Sequence, residues 1–124
     1  MKTKLAVFLL GMLALTGVQA QGYPERAVRI LVGYPPGGGT DLVARLVATP
    51  LAERWKQPVV VDNRPGANAI IATEAVVRAK PDGYTLLMAF ATELALNPAT
   101  HKKLPYDPVR DLAPIAQLAS APLV

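Results

Sequence analysis

The sequence has no cysteine and only one histidine and one serine in 124 residues. Without cysteine it can form no disulfide framework, no thiolate metal or iron–sulfur site and no cysteine nucleophile. A single histidine cannot build a multi-histidine metal centre, and Ser120 has no nucleophile-elbow context. His101 is flanked by Lys102 and Lys103 in a predicted loop, which indicates a surface residue. We therefore expect no cofactor and find no pattern typical of an enzyme.

The first twenty residues have the three-part pattern of a secretory signal peptide. Lys2 and Lys4 form a positive start, residues 5–15 are an apolar run, and Val18-Gln19-Ala20 supplies small residues before a cleavage site. We predict a signal peptide over 1–20, cleaved after Ala20. The apolar run is shorter than the roughly 20 residues that cross a bilayer, so an N-terminal anchor is the weaker alternative. We expect no membrane span once the signal is removed.

Charge argues against a nucleic-acid partner. Two of the 13 basic residues and none of the 9 acidic residues lie in the predicted signal, so the remainder carries a net charge of +2. Its arginines are scattered along the chain, whereas a nucleic-acid footprint needs clustered Lys and Arg.

Apolar runs alternate with helical patterns along the chain and predict an α/β fold. We predict strands over 27–34, 58–62 and 84–89, and helices over 40–55 and 69–79. Strands that are apolar throughout belong to a parallel sheet flanked by helices on both faces. Right-handed crossovers then favour an order in which the first strand lies between the second and the third.

Three further local expectations concern prolines and the C-terminal part. Pro50 is expected to kink or shorten the first helix. Residues 97–108 contain several prolines and are predicted to be rich in loops. Residues 112–118 are apolar enough to begin a fourth strand.

The predicted strand order opens a crevice at the carboxyl ends of strands 1 and 3, between residues 34–41 and 90–93. Gly37-Gly38-Gly39 lead into a helix, with Thr40 as its expected cap and Asp41 in its first turn. This pattern can bind an anion through backbone N–H groups, although a glycine triplet that only forms a tight turn is an equally good interpretation. A phosphate-binding P-loop does not match, because Gly39 is followed by Thr40 and Asp41 rather than by Lys and Ser or Thr. A dinucleotide fingerprint does not match either, because Leu42 stands where it needs glycine.

Six sequence blocks, in their order and spacing, resemble one family. They are 23–29 (YPERAVR), 34–41 (YPPGGGTD), 57–67 (QPVVVDNRPGA), 81–87 (PDGYTLL), 97–98 (NP) and 103–108 (KLPYDP). The chain is similar to the Bug-type extracytoplasmic solute receptors, the substrate-binding proteins of tripartite tricarboxylate transporters.

The resemblance implies a periplasmic, two-lobed protein with a type II periplasmic binding protein-like fold, of which 21–124 would be most of the N-terminal part of the first lobe. It implies capture of a small carboxylate, such as a di- or tricarboxylate, an amino acid or an aromatic acid, for membrane permease subunits, without catalysis. Carried over by position, the ligand-binding residues are Tyr34, Pro36, Gly37, Gly38, Gly39, Thr40, Asp41, Phe90, Ala91 and Thr92.

The chain departs from the family at three places. Residues 68–74 are more apolar than the family's glycine-rich stretch. Phe90 adds bulk, and Glu93 adds a negative charge that is expected to disfavour a carboxylate beside it. The chain is less than half as long as family members, and its apolar end suggests a truncated reading frame. The alternatives are a truncated, non-functional fragment of such a receptor, or a small α/β enzyme that binds a phosphate ester.

Overall fold

The computed structural model describes residues 22–120, so the predicted signal peptide over 1–20 lies outside the described residues. The strands are β1 (Val28–Val32), β2 (Val59–Asn63) and β3 (Thr85–Met88). The α-helices are α1 (Gly39–Trp55), α2 (Ile70–Val77) and α3 (Asn97–Thr100). A 3₁₀ turn (Ala67–Ala69) precedes α2, and a π-helical turn (Thr92–Leu96) runs directly into α3.

The three strands form a parallel sheet in the order β2-β1-β3, which confirms the predicted central position of the first strand. Val28 pairs with Val59 on one side of β1, and Arg29 pairs with Thr85 on the other. Parallel neighbours must be joined by crossovers, which α1 and α2 provide. The crossover from β1 to β2 and the crossover from β2 to β3 run in opposite directions across the sheet. Because both are right-handed, their helices cover opposite faces of the sheet.

The core lies between the sheet and its helices. Ile30 and Val32 pack with Ala44 and Ala48 of α1. Leu31 points to the opposite face of the sheet and is 2% exposed. Because Ala44 and Ala48 are small, α1 can approach the sheet closely. The resulting dense packing holds the carboxyl end of the sheet, which carries the loops, in a fixed position.

Helix α1 continues through Pro50 to Trp55, so Pro50 does not shorten the helix, and a kink at Pro50 stays a prediction. Proline lacks the N–H that would bond the carbonyl of Leu46 one turn earlier. Position 50 is exposed, so that carbonyl can be hydrated instead.

In the C-terminal part, one expectation is confirmed in part and another is wrong. Residues 97–100 form α3, whereas residues 101–108 contain neither helix nor strand, as predicted for a loop-rich stretch. Residues 112–118 form no strand and are mostly exposed. A strand needs a neighbour to pair its backbone groups, and within 22–120 this segment pairs with none of the three strands.

An aromatic cluster lies at the opposite, amino end of the sheet. The Tyr23 hydroxyl donates to the Gly83 carbonyl at 2.6 Å, and the Tyr23 ring packs edge-on against Trp55 and Tyr84. The Arg26 guanidinium lies 3.8 Å from the centre of the Tyr84 ring. These contacts attach residues 23–26 to the base of the sheet.

Replacing Tyr23 with phenylalanine should lower the free energy of unfolding by about 1 kcal/mol, because one hydrogen bond is lost while ring packing stays. Urea denaturation followed by circular dichroism measures this change. Val109→Ala is the control, since that side chain is 91% exposed. Equal stability of the Tyr23 variant and the parent would contradict the role of the hydroxyl.

Within residues 22–120, no helix combines the length and the apolar character needed to cross a bilayer.

Candidate functional site

Three loops meet at the carboxyl ends of the strands: loop 1 (33–38) after β1, loop 2 (64–69) after β2 and loop 3 (89–91) after β3. The ten sequence-predicted binding residues lie on loop 1, loop 3 and the first turns of the helical segments that follow them. Pro36, Gly37, Gly38, Gly39, Phe90 and Ala91 are exposed, Tyr34, Thr40 and Thr92 are half-buried, and Asp41 is buried. The ten predicted residues therefore differ in exposure, and the crevice between loops 1 and 3 stays a prediction.

The start of α1 differs from the expected capping pattern. The N-cap is Gly38, with extended backbone angles, and no side chain caps the helix from that position. Thr40 is already inside the helix, so the prediction that it is the cap is wrong. Asp41, in the first turn, instead bonds back to the preceding loop, because its Oδ2 atom accepts a hydrogen bond from the Gly37 N–H at 2.9 Å. The glycine at position 37 has φ = +89°, a conformation that other residues rarely adopt.

Asp41 also joins loop 1 to α1 and to β2. Arg45 Nε donates to Asp41 Oδ2 at 3.0 Å, and Asn63 Nδ2 donates to Asp41 Oδ1 at 2.9 Å. The same Asn63 amide donates to the Tyr34 carbonyl at 3.1 Å. Sequence reasoning missed Asn63, although its position as the last, polar residue of an apolar strand was a usable signal.

The charge of Asp41 is held inside this network. Hydrogen bonds from Arg45, Gly37 and Asn63 lower the pKa of Asp41 to about 2, so the carboxylate is ionised near neutral pH. Only 3% of the residue is exposed. Arg45 offsets its charge, which leaves the backbone N–H groups at the start of α1 to determine what binds there.

We use the name anion cradle for residues 37–40, where the Gly37 N–H donates to Asp41 and the helix begins at Gly39. Gly39 and Thr40 begin the helix, so their N–H groups have no acceptor within the helix. The helix dipole adds partial positive charge at the same place. Since Gly37, Gly38 and Gly39 are exposed and carry no side chains, an anion can approach the backbone directly.

Glu93 lies beneath loop 3 and is completely buried. Its Oε2 atom accepts hydrogen bonds from the Tyr34 hydroxyl and the Phe90 N–H, both at 3.1 Å. Its Oε1 atom is buried and has no hydrogen-bond partner within residues 22–120. Burial raises the pKa of Glu93, because an ionised carboxylate is poorly solvated there. Glu93 therefore joins loop 1 to loop 3 through its hydrogen bonds with Tyr34 and Phe90.

Loop 2 packs against loop 1, where Ala69 lies beside Gly33, and the sequence analysis did not include it in the site. Ala67, Asn68 and Ala69 all have positive φ angles, of 49°, 52° and 66°. The Asn97 amide donates to the Asn68 carbonyl at 2.8 Å. The Tyr106 hydroxyl donates to the Glu93 carbonyl at 2.9 Å. The Asn-Pro and Pro-Tyr-Asp blocks noticed in the sequence thus hold the three loops together.

Within the described residues, no group of three or more acidic or histidine side chains is arranged to hold a metal ion. His101 is exposed, as expected, and its Nδ1 atom lies 3.2 Å from the Asn97 carbonyl oxygen.

Comparison with known proteins identifies the family of this chain. The profile of the tripartite tricarboxylate transporter family receptor, TctC, matches residues 43–124. A UPF0065 protein of Bordetella bronchiseptica is 44% identical over 122 residues, which cover 98% of this chain and 36% of that protein. The chain thus spans about a third of the length of this relative.

Solved structures show the same fold. MatC from Rhodopseudomonas palustris with bound malate is 37% identical, with a TM-score of 0.70 over 77% of this chain and 33% of that one. Rpa4515 of R. palustris with adipate is 36% identical, with a TM-score of 0.69 over 71% of this chain and 29% of that one. The described residues form part of one lobe of a periplasmic binding protein-like fold. The chain belongs to the tripartite tricarboxylate transporter family of receptors.

Proposed function

We propose that this chain provides the first-lobe part of a receptor site for a small carboxylate. The observation that carries the proposal is the anion cradle, where free N–H groups of a helix start are exposed on side-chain-free backbone. A carboxylate needs several hydrogen-bond donors and gains from the positive end of the helix dipole. Relatives of the same family hold malate and adipate.

The site as proposed holds its ligand without covalent chemistry. Asp41 is committed to Gly37, Arg45 and Asn63, and Glu93 is committed to Tyr34 and Phe90. Neither carboxyl group is placed as an exposed acid or base beside the cradle. Binding and release then serve transport: the receptor collects the carboxylate in the periplasm and delivers it to permease subunits in the membrane.

Gly39→Pro gives a sharp test of the cradle. Proline at the first helical position removes one N–H donor but fits the helix start, and Gly38 already has the extended backbone that precedes proline. We expect carboxylate affinity to fall at least about tenfold, since a hydrogen bond to a charged group is worth roughly 1.5–3 kcal/mol. Isothermal titration calorimetry with malate, adipate, benzoate and inorganic phosphate measures the affinities.

Gly39→Ala is the matched control, because it keeps the N–H and its added Cβ meets nothing within 4 Å. Equal affinities of the proline and alanine variants would exclude the cradle as the binding element. A chain that melts cooperatively and binds none of the carboxylates would refute the receptor proposal. Tighter binding of phosphate than of any carboxylate would favour the phosphate-ester alternative.

A further inference from the structure

Within residues 22–120, the Glu93 carboxyl group accepts hydrogen bonds from neutral donors only. The Tyr34 hydroxyl of loop 1 and the Phe90 N–H of loop 3 both donate to Glu93 Oε2, each at 3.1 Å. The second oxygen, Oε1, is buried and has no hydrogen-bond partner in this part of the chain. One side chain thus holds loop 1 and loop 3 together, and we call its two hydrogen bonds to Tyr34 and Phe90 the loop latch.

No cation offsets a charge on this carboxyl group. Glu93 is completely buried, and none of the ion pairs among residues 22–120 includes it. The titratable groups that contact it are two phenols, the Tyr34 hydroxyl and the Tyr106 hydroxyl, which donates to the Glu93 carbonyl at 2.9 Å. Phenols are uncharged near neutral pH. The ionisable residues on the neighbouring segments are paired or exposed: Asp41 with Arg45, Arg64 with Asp62, and exposed His101, Lys102 and Lys103.

The neutral form of Glu93 suits these surroundings better than the ionised form. A carboxylate without a counter-charge costs far more to bury than a neutral carboxyl group. The hydrogen bonds to Oε2 favour the ionised form, but burial outweighs them and raises the pKa of Glu93. Since Oε2 already accepts two hydrogen bonds, the proton of the neutral form lies on Oε1. The latched arrangement therefore binds this proton more tightly than an arrangement in which Glu93 is hydrated.

We propose that Glu93 is a positioning residue whose neutral form holds loops 1 and 3 together, and that its ionisation at higher pH releases the loop latch. Because Glu93 is completely buried while latched, its carboxylate can be hydrated only when the two loops part. Linkage gives the direction: an arrangement that binds a proton more tightly loses population as the pH rises. Loops 1 and 3 carry predicted binding residues, so release also weakens carboxylate binding, a consequence that rests on the proposed function.

Glu93→Gln keeps the side chain neutral and nearly unchanged in shape, and its amide oxygen can accept the same two hydrogen bonds. In the parent, the stability that protonated Glu93 provides is complete below the ordinary pKa of 4.5 and is lost as the pH rises through the raised pKa of the folded state. Over that interval, the unfolding constant of the parent should rise relative to the variant by up to about tenfold per pH unit. Urea denaturation of the full chain at a series of pH values measures both constants.

Hydrogen exchange of the Phe90 amide, followed by NMR, tests the loop latch itself. The residues on either side of Phe90 are the same in the parent and in Glu93→Gln, so the unprotected amide exchanges at the same rate in both. As the pH rises, protection of this amide in the parent should fall below that in the variant by up to about tenfold per pH unit. Glu53→Gln removes an exposed acid of α1 and is the matched control, which should keep the parent's pH dependence.

The same pH dependence of Phe90 protection in the parent and in Glu93→Gln would overturn the proposal. An NMR titration of the Glu93 carboxyl carbon in the parent needs no variant, and a midpoint at or below 4.5 would overturn it as well. These measurements need no ligand. A chain that shows the latch but binds no malate, adipate or benzoate would refute the receptor function alone, whereas a chain that binds one of them without the latch would refute only this inference.

Discussion

Replacing Gly33 with alanine is expected to lower the free energy of unfolding by about 3 kcal/mol, at the upper end for an overpacked position. A Cβ at position 33 would lie 2.1 Å from the Cβ of Ala69 and 2.7 Å from its Cα. Neither atom belongs to a flexible side-chain end that could turn away. Ala69 is 1% exposed and has φ = 66°, so loop 2 has little freedom to retreat.

Urea denaturation followed by circular dichroism measures the effect of Gly33→Ala. Gly39→Ala is the control for the same chemical change, because its Cβ meets nothing within 4 Å. The control should match the parent or be slightly more stable, since alanine favours a helix over glycine. A Gly33 variant that stays within about 0.5 kcal/mol of the parent would show that loops 1 and 2 are not packed as described.

Replacing Asp41 with alanine is expected to weaken carboxylate binding by roughly a hundredfold, because loop 1 loses its attachments to α1 and β2 together. Asp41 accepts hydrogen bonds from Gly37, Arg45 and Asn63, each at 2.9 or 3.0 Å. Without them loop 1 is no longer held against α1, and the glycines of the cradle gain conformational freedom that a ligand must remove. Calorimetric titration with the best-bound carboxylate measures the loss.

The control for Asp41→Ala is Asp111→Ala, which removes an acid paired with its neighbour Arg110, outside the three loops. That variant should keep the parent's affinity. An Asp41 variant that binds as tightly as the parent would show that the cradle is rigid without the carboxylate.

Acid should lower the stability of the fold, because it protonates Asp41. Because the folded-state pKa of Asp41 is about 2 and lies below the unfolded value of about 3.9, the group stabilises the fold fully above pH 4. That contribution is lost as the pH falls from about 4 towards 2. Thermal melts at several pH values should show a steeper acid loss in the parent than in Asp41→Ala. If the melting temperatures of the parent and of Asp41→Ala fell equally with pH, the lowered pKa of Asp41 would be contradicted.

The order of the strands was predictable, because it depends on patterns that are local in the sequence. Three apolar runs separated by helical patterns leave few topologies once crossovers are right-handed. The same reasoning located loops 1 and 3 at one edge of the sheet. The identity of the ligand and the binding roles of the ten predicted residues stay predictions.

The details of the site were less predictable, because they depend on contacts between distant residues. Thr40 and Asp41 are both good residues for a helix start, and only the three-dimensional position of Asn63 and Arg45 selects Asp41 as the anchor. Glu93 looks like a surface acid in the sequence. Its burial follows from Tyr34, 59 positions away, and from Tyr106, 13 positions away.

The central position of β1 also has a consequence for the rate of folding. The strand partners of β1 lie roughly 30 and roughly 55 positions further along the chain, so its pairing requires the closure of long loops. Folds dominated by such distant pairings form slowly compared with helical bundles. In pulsed hydrogen exchange, the amides of β1 should therefore gain protection later than those of α1.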